Sequence, residues 1–202
     1  MPDLIEDVRG RRVLAALTHP DDEIAMCVLL RRISRQGGEL FLSWTHSTDI
    51  RRREAEGFAD RMNVPADRRF FHGAPDGGTA EAMPDLLPRF DRMMQAAKPD
   101  RVLVGAFEQG HLDHDATHVL VRRSFRGPVY EVPFYHSYLT RLQRVGTFAG
   151  EGPAEEILLG PEEREFKKAV ARGYPSQTIY RLALLHEIRE IAFGRRPRLL
   201  RR

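Results

Sequence analysis

From Arg12 to Pro133 the chain alternates short β-rich runs with longer amphipathic ones, and this alternation constrains the fold more than any other feature. Short strands separated by helices join most simply as parallel βαβ units. Strands are expected at Arg12–Leu17, Glu39–Trp44, Arg69–His72, Arg101–Val104 and Pro128–Pro133. Helices are expected between them at Glu23–Gln36, Ile50–Met62, Glu81–Ala97 and His114–Ser124. Gly37-Gly38 stops the first helix, and Pro84 and Pro88 suit the third only near its start. The pattern implies an α/β fold, a Rossmann-like three-layer sandwich with a mainly parallel sheet and helices on both faces. In the strand order 3-2-1-4-5 the first and fourth strands are neighbours. The loops after them then meet at the topological switch point, where open α/β sheets bind ligands. Further on, Val145–Phe148 and Glu156–Leu159 suggest extra strands. Pro161 to about Phe193 reads as a helical C-terminal region broken at Gly173-Tyr174-Pro175.

At 202 residues and 42% hydrophobic content the chain fits one domain, expected over residues 1–194, rather than a disordered polypeptide. No apolar run is long enough for a membrane span, and the start lacks the basic-then-apolar order of a secretory signal. The single Cys27 cannot form an internal disulfide, so a cytoplasmic setting is expected. The net charge of +3 is misleading as a nucleic-acid signal. Five arginines (Arg195, Arg196, Arg198, Arg201 and Arg202) lie in a basic tail at residues 195–202, and without them the charge is −2. Nucleic acid is therefore not the expected partner, and homo-oligomerisation is left open.

The loop after the first strand is Thr18-His19-Pro20-Asp21-Asp22-Glu23, and the loop after the fourth is Gly110-His111-Leu112-Asp113-His114. The two clusters richest in metal-ligand residue types thus fall on the loops that the topology brings together. His19, Asp22 and His114 make a plausible donor set for zinc or another divalent transition metal, with a position left open for water. A divalent ion lowers the pKa of such a water to about 7. Asp21 suits a general base on that water, and a protonated His111 suits an oxyanion or leaving-group partner. Asp113 can orient or charge-stabilise an imidazolium. Arg51, Asp76, Glu108 and His136 are candidate substrate contacts on the rim.

Blander readings exist for each. His19-Pro20-Asp21-Asp22 can be a polar turn that caps a helix. His114 and His118, at i and i+4, form a rival ligand pair, although no Glu follows the first of them as in helical zinc hydrolases. His46, His72 and His186 read as surface or satisfied histidines. The Gly-rich phosphate loop of dinucleotide enzymes and the G-x-S-x-G elbow of serine hydrolases are both absent from the sequence.

Ala16-Leu17-Thr18-His19-Pro20-Asp21-Asp22-Glu23 resembles the A-H-P-D-D-E signature of the PIG-L/LmbE-like deacetylases, and Gly110-His111-Leu112-Asp113-His114 resembles their G-H-P-D-H motif. Weaker echoes are Arg51-x-x-Glu54, Pro75-Asp76-Gly77, Lys98-Pro99-Asp100 and Tyr174-Pro175-Ser176-Gln177, so the similarity spans roughly residues 12 to 178. The resemblance implies a metal-dependent removal of an acyl group from the amide nitrogen of an N-acetylglucosamine-type sugar conjugate. By position it makes His19, Asp22 and His114 the metal ligands, Asp21 the base and His111 the electrophilic or acid partner. Arg51 falls where the family often contacts substrate, with an i,i+3 ion pair to Glu54 as the alternative. Leu112 stands where proline is commoner, and Gln109 where some relatives place a tyrosine. A different amidase, acting on an antibiotic or thiol conjugate, and a non-catalytic metal- or nucleic-acid-binding module are the other readings.

Overall fold

The computed structural model describes residues 4–107, 109–136, 144–145, 154–177 and 189–195, with backbone alone at 135–136, 144–145, 154–156 and 189–195. After a short helix α1 (Leu4–Val8), strands β1 (Arg12–Leu17), β2 (Glu39–His46), β3 (Arg69–Ala74), β4 (Arg101–Gly105) and β5 (Val129–Val132) alternate with four helices. These are α2 (Cys27–Arg35), α3 (Asp49–Arg61), α4 (Met83–Ala97) and α5 (Leu112–Ser124). The five strands pair in parallel in the expected order 3-2-1-4-5. β1 lies at the centre, with Val13 opposite Leu40 on β2 and Arg101 on β4.

The apolar run of β1 is continuous because both of its faces are covered. Val13, Ala15 and Leu17 enter one core with α1, α2 and α3, whereas Leu14 and Ala16 enter the other with α4 and α5. The strand's two-residue period therefore sorts neighbours into opposite layers. Helix α6 (Pro161–Ala171) joins the first layer through Val170 and Ala171. Arg32 on α2 grips Glu163 on α6 with two hydrogen bonds of 2.7 Å.

Two departures from the sequence reading concern the ends of elements and the C-terminal region. The first crossover helix does not start at Glu23. Asp22–Ala25 forms a 3-10 turn, and α2 begins at Cys27. Of the expected helical stretch to Phe193, α6 ends at Ala171, residues 178–188 lie outside the described residues, and 189–195 is not helical. Strand β9 (Arg189–Arg195) instead pairs antiparallel with β5, and β8 (Ala154–Leu158) pairs antiparallel with β9. The sheet thus gains β8, over the run read as an extra strand at Glu156–Leu159, and the unexpected β9, in the order β3-β2-β1-β4-β5-β9-β8. Arg195, read as the first tail residue, closes β9 opposite Tyr130, and the tail from 196 lies outside the described residues. Strands β6 (Tyr135–His136) and β7 (Arg144–Val145) form a separate antiparallel pair. Among the described residues no helix is long and apolar enough to cross a membrane.

Candidate active site

At its C-terminal end β1 leads into a turn that braces itself. The Asp22 carboxylate oxygen Oδ2 accepts the N–H groups of Thr18 (3.0 Å) and His19 (2.8 Å), which leaves Oδ1 3.5 Å from His114 Nε2. Asp21 stands at the start of the 3-10 turn with φ 119° and ψ −21°, and its side chain makes no cap hydrogen bond there. The capping reading of this motif therefore fails for Asp21. Its N–H donates instead to Glu23 Oε2 at 2.8 Å.

Pairing of β1 with β4 brings the second loop alongside. His114, in the first turn of α5, places Nε2 3.2 Å from His19 Nδ1. Phe134 packs edge-on against the His114 ring at 5.2 Å between centroids. That packing depends on Gly105 at the end of β4, where a Cβ would stand 2.8 Å from the Phe134 ring. Asp113 is fully buried and accepts the N–H groups of Gly77 (2.7 Å) and Thr79 (3.0 Å), tying the loop after β3 to α5. The same carboxylate lies 3.3 Å from His19 Nε2, as does Asp76 Oδ1. With two carboxylates at Nε2, the His19 proton belongs on that nitrogen and the lone pair on Nδ1.

The donor set can be tested against a tetrahedral ion. Bonds of about 2.0–2.1 Å place neighbouring ligand atoms about 3.3 Å apart. Here His19 Nδ1 to His114 Nε2 is 3.2 Å, His114 Nε2 to Asp22 Oδ1 is 3.5 Å and His19 Nδ1 to Asp22 Oδ2 is 3.9 Å. His19, His111 and His114 also bring one nitrogen each within 4.8 Å of one another. The His111 and His114 rings, however, are stacked at 4.4 Å with 13° between planes. Nearly parallel stacked rings aim their in-plane lone pairs along separate planes, which disfavours His111 and His114 as ligands to one ion. His19, Asp76 and Asp113 form another close group, but both carboxylates there already face the His19 N–H.

Burial and charge act on each group in turn. Burial works to lower His19, but hydrogen bonds to Asp113 and Asp76 and the charge of Asp22 prevail and push it up to about 10. Burial drops His114 to about 4. Burial, then Asp22, raises Asp21 well above the usual carboxylate range, while Arg51 partly opposes this. Burial also opposes ionisation of Asp113, yet His19 and the two backbone N–H groups hold it well below that range. The His19 hydrogen bond draws Asp76 down to about 2. Burial and the neighbouring His19 charge lower His111, which favours the neutral ring over the protonated one expected from the sequence.

Arg51 does not pair with Glu54. Its Nη1 lies 3.6 Å from Asp76 Oδ2, while Glu54 accepts the Ser176 N–H at 2.9 Å and hydroxyl at 2.6 Å. Asp76, 61% exposed, thus links Arg51 to His19 at the mouth of the cluster. Of the other rim candidates, Glu108 and the His136 side chain lie outside the described residues. His118 is turned away from the cluster, with Nδ1 2.9 Å from Gly105 O. His46 is the residue that sequence reasoning missed. Its ring lies 5.6 Å from that of His19, and its Nε2 is 3.9 Å from Asp76 Oδ2. The signal was its place at the C-terminal end of β2, beside β1, where ligands collect in this architecture.

Residues 14–125 match the family model described as PIG-L: GlcNAc-PI de-N-acetylase. No curated protein matches the chain by sequence. Among solved structures, the zinc-inhibited form of teicoplanin deacetylase superposes with a TM-score of 0.66 at 15% identity, over 91% of this chain and 97% of that one. The N,N'-diacetylchitobiose deacetylase of Pyrococcus horikoshii gives 0.60 at 17% identity, over 87% and 74%. The 4-carboxy-2-hydroxymuconate hydratase of Pseudomonas putida KT2440 gives 0.68 at 14% identity, over 95% and 99%. At such identities these likenesses concern the fold, which thus carries more than one chemistry. The family match spans more than half of the sequence and takes in both histidine–aspartate loops, and the chain belongs to the PIG-L deacetylase family.

Proposed function

We propose that the chain is a metal-dependent hydrolase that removes an acetyl or other acyl group from the amide nitrogen of an N-acetylglucosamine-type sugar conjugate, in the cytoplasm. The observation that carries this reading is the donor triangle in which His19 Nδ1 and His114 Nε2 stand 3.2 Å apart and the Asp22 carboxylate approaches His114 through Oδ1 (3.5 Å) and His19 through Oδ2 (3.9 Å), with the acid Asp21 beside it. These three residues would hold zinc or another divalent transition metal. Such an ion supplies Lewis acidity toward a water and a carbonyl oxygen.

The remaining chemistry belongs to the chain. Asp21, with its pKa raised by burial, accepts a proton from the attacking water. The negative charge that develops on the carbonyl oxygen meets the N–H of neutral His111. As the C–N bond breaks, the proton taken by Asp21 passes to the departing nitrogen, giving a free amine and a carboxylic acid, whose remaining proton goes to solvent. Asp113 keeps the His19 lone pair on Nδ1 throughout. Arg51 and Asp76, at the mouth, contact the sugar or its aglycone.

Elemental analysis paired with amine release from a panel of N-acetylglucosamine conjugates tests this. Wild type and Asp21→Ala should both carry near-stoichiometric metal, while His19→Ala loses it. Only wild type should release amine, with Asp21→Ala down by orders of magnitude. Metal without amine release from any conjugate would redirect the search to other acyl substrates, or to hydration as in the Pseudomonas relative of this fold. Absence of metal under every loading condition would sink the reading.

A further inference from the structure

Asp21 occupies a backbone conformation that side-chain-bearing residues avoid, at φ 119°. A non-glycine residue there carries strain that shifts an equilibrium by roughly ten-fold or more, and such strain persists only where the surroundings over-determine it. Two hydrogen bonds do so here. The Asp21 carbonyl accepts the Ile24 N–H at 3.0 Å, and the Asp21 N–H donates to Glu23 Oε2 at 2.8 Å.

Glu23 is itself fully buried. Its second oxygen, Oε1, accepts the indole N–H of Trp44 at 3.1 Å and the hydroxyl of Tyr174. Among the described residues the Asp21 N–H, the Trp44 indole and the Tyr174 hydroxyl that donate to this carboxylate are all neutral. A buried carboxylate without a cationic partner is expensive, and an apolar side chain of similar size would fill the volume at less cost. The arrangement makes sense if two acceptor oxygens on one rigid group are needed, one for each side. Tyr174 is buried in the turn after α6, and two residues later Ser176 is bound by Glu54 of α3. The acceptor that holds Asp21 is therefore fixed by residues from three separate parts of the chain.

We infer that Glu23 and Tyr174 are positioning residues for Asp21: Tyr174, with Trp44, fixes the Glu23 carboxylate, and Glu23 holds the Asp21 backbone in its left-handed conformation so that the acid stands beside the donor triangle. This rests on the reading of Asp21 as the base.

A double-mutant cycle on the full chain, read by urea unfolding with all variants in the same metal state, tests the pinning without any substrate. Asp21→Gly relieves the strain and should lower the unfolding constant by about ten-fold in the wild-type background. Glu23→Gln leaves one acceptor oxygen where two are needed. In that background only the Ile24 N–H bond still holds Asp21, so Asp21→Gly should change the constant by less than about two-fold. An equal gain in both backgrounds overturns the inference.

Kinetics on zinc-loaded enzyme with N-acetylglucosamine as the probe supply the second arm. Glu23→Gln and Tyr174→Phe should each lower kcat by about ten-fold or more, with KM within about two-fold and metal content unchanged. Wild-type kcat in both variants, alongside a dead Asp21→Asn, overturns the positioning role and leaves the proposed function standing. Full turnover by Asp21→Asn overturns the base reading and with it the catalytic part of the inference, which the unfolding cycle distinguishes from the pinning.

Discussion

Two imidazole nitrogens 3.2 Å apart, His19 Nδ1 and His114 Nε2, cannot point lone pairs at each other without positive charge between them. In the metal-free protein a proton on His19 meets that need, since the surrounding carboxylates push His19 up to about 10. A divalent ion competes for the same place and releases a proton on binding. Asp113 decides how well His19 is prepared for it. Its carboxylate accepts from Gly77, Thr79 and His19 together, so it favours the tautomer with hydrogen on Nε2. In Asp113→Asn the amide NH₂ meets at least one of these donors head-on. The His19 proton is then drawn toward Nδ1, the atom that the donor triangle requires. Metal affinity should fall ~10–100-fold, as it does for other partners that orient a ligand from behind. A metal titration of wild type and variant measures this, and equal affinities would defeat the role given to Asp113. At the rim, one alternative reading gave way. The i,i+3 spacing of Arg51 and Glu54 is compatible with a local ion pair, but Glu54 binds Ser176, 122 positions away, and no local pattern announces that.

At the scale of elements, the parallel strands were legible because each is apolar on both faces and bounded by turn residues. Leu14 and Ala15 point into different layers and are both fully buried. The meeting of the loops after β1 and β4 was legible too, since strand order alone brings them together. β9 was not, because Arg189-Glu190-Ile191-Ala192 carries helix-forming residues. Its strand state comes from pairing with β5 and β8, a tertiary effect that overrides local preference. β3 carries a testable consequence of burial. His72 stacks on Phe90 of α4 at 4.4 Å, and burial, with help from the Arg89 charge, lowers it from 6.5 to about 4. The proton therefore prefers the unfolded chain. The stability at stake is fully present above about pH 6.5, is lost as pH falls toward 4, and amounts to about 3 kcal/mol. Unfolding midpoints of wild type and His72→Gln across that window should converge as the pH drops. Parallel curves would show that His72 titrates normally in the folded protein.

Over the whole molecule, the two edges of the sheet carry different duties. The C-terminal edge holds the histidines and acids, with the loop after β1 strained at Asp21. The N-terminal edge is a fastening. Asp7 of α1 receives Arg101 of β4 through two hydrogen bonds, 2.8 and 3.0 Å, and also the Tyr130 hydroxyl of β5. Both members of the ion pair are largely buried, so water cannot replace a lost partner. Asp7→Asn leaves the Arg101 guanidinium without its counter-charge and should cost about 2–4 kcal/mol of unfolding free energy. Because β4 reaches the site only through its far end, the loss should appear in urea unfolding and not in turnover. Per folded molecule, kcat and metal content should match wild type at temperatures where the variant stays folded. If kcat falls in step with stability, α1 and the loop after β4 move as one unit and the division of duties between the edges is wrong. If stability alone falls, the sheet works as a rigid spacer, and tolerance to substitution at one edge is independent of chemistry at the other.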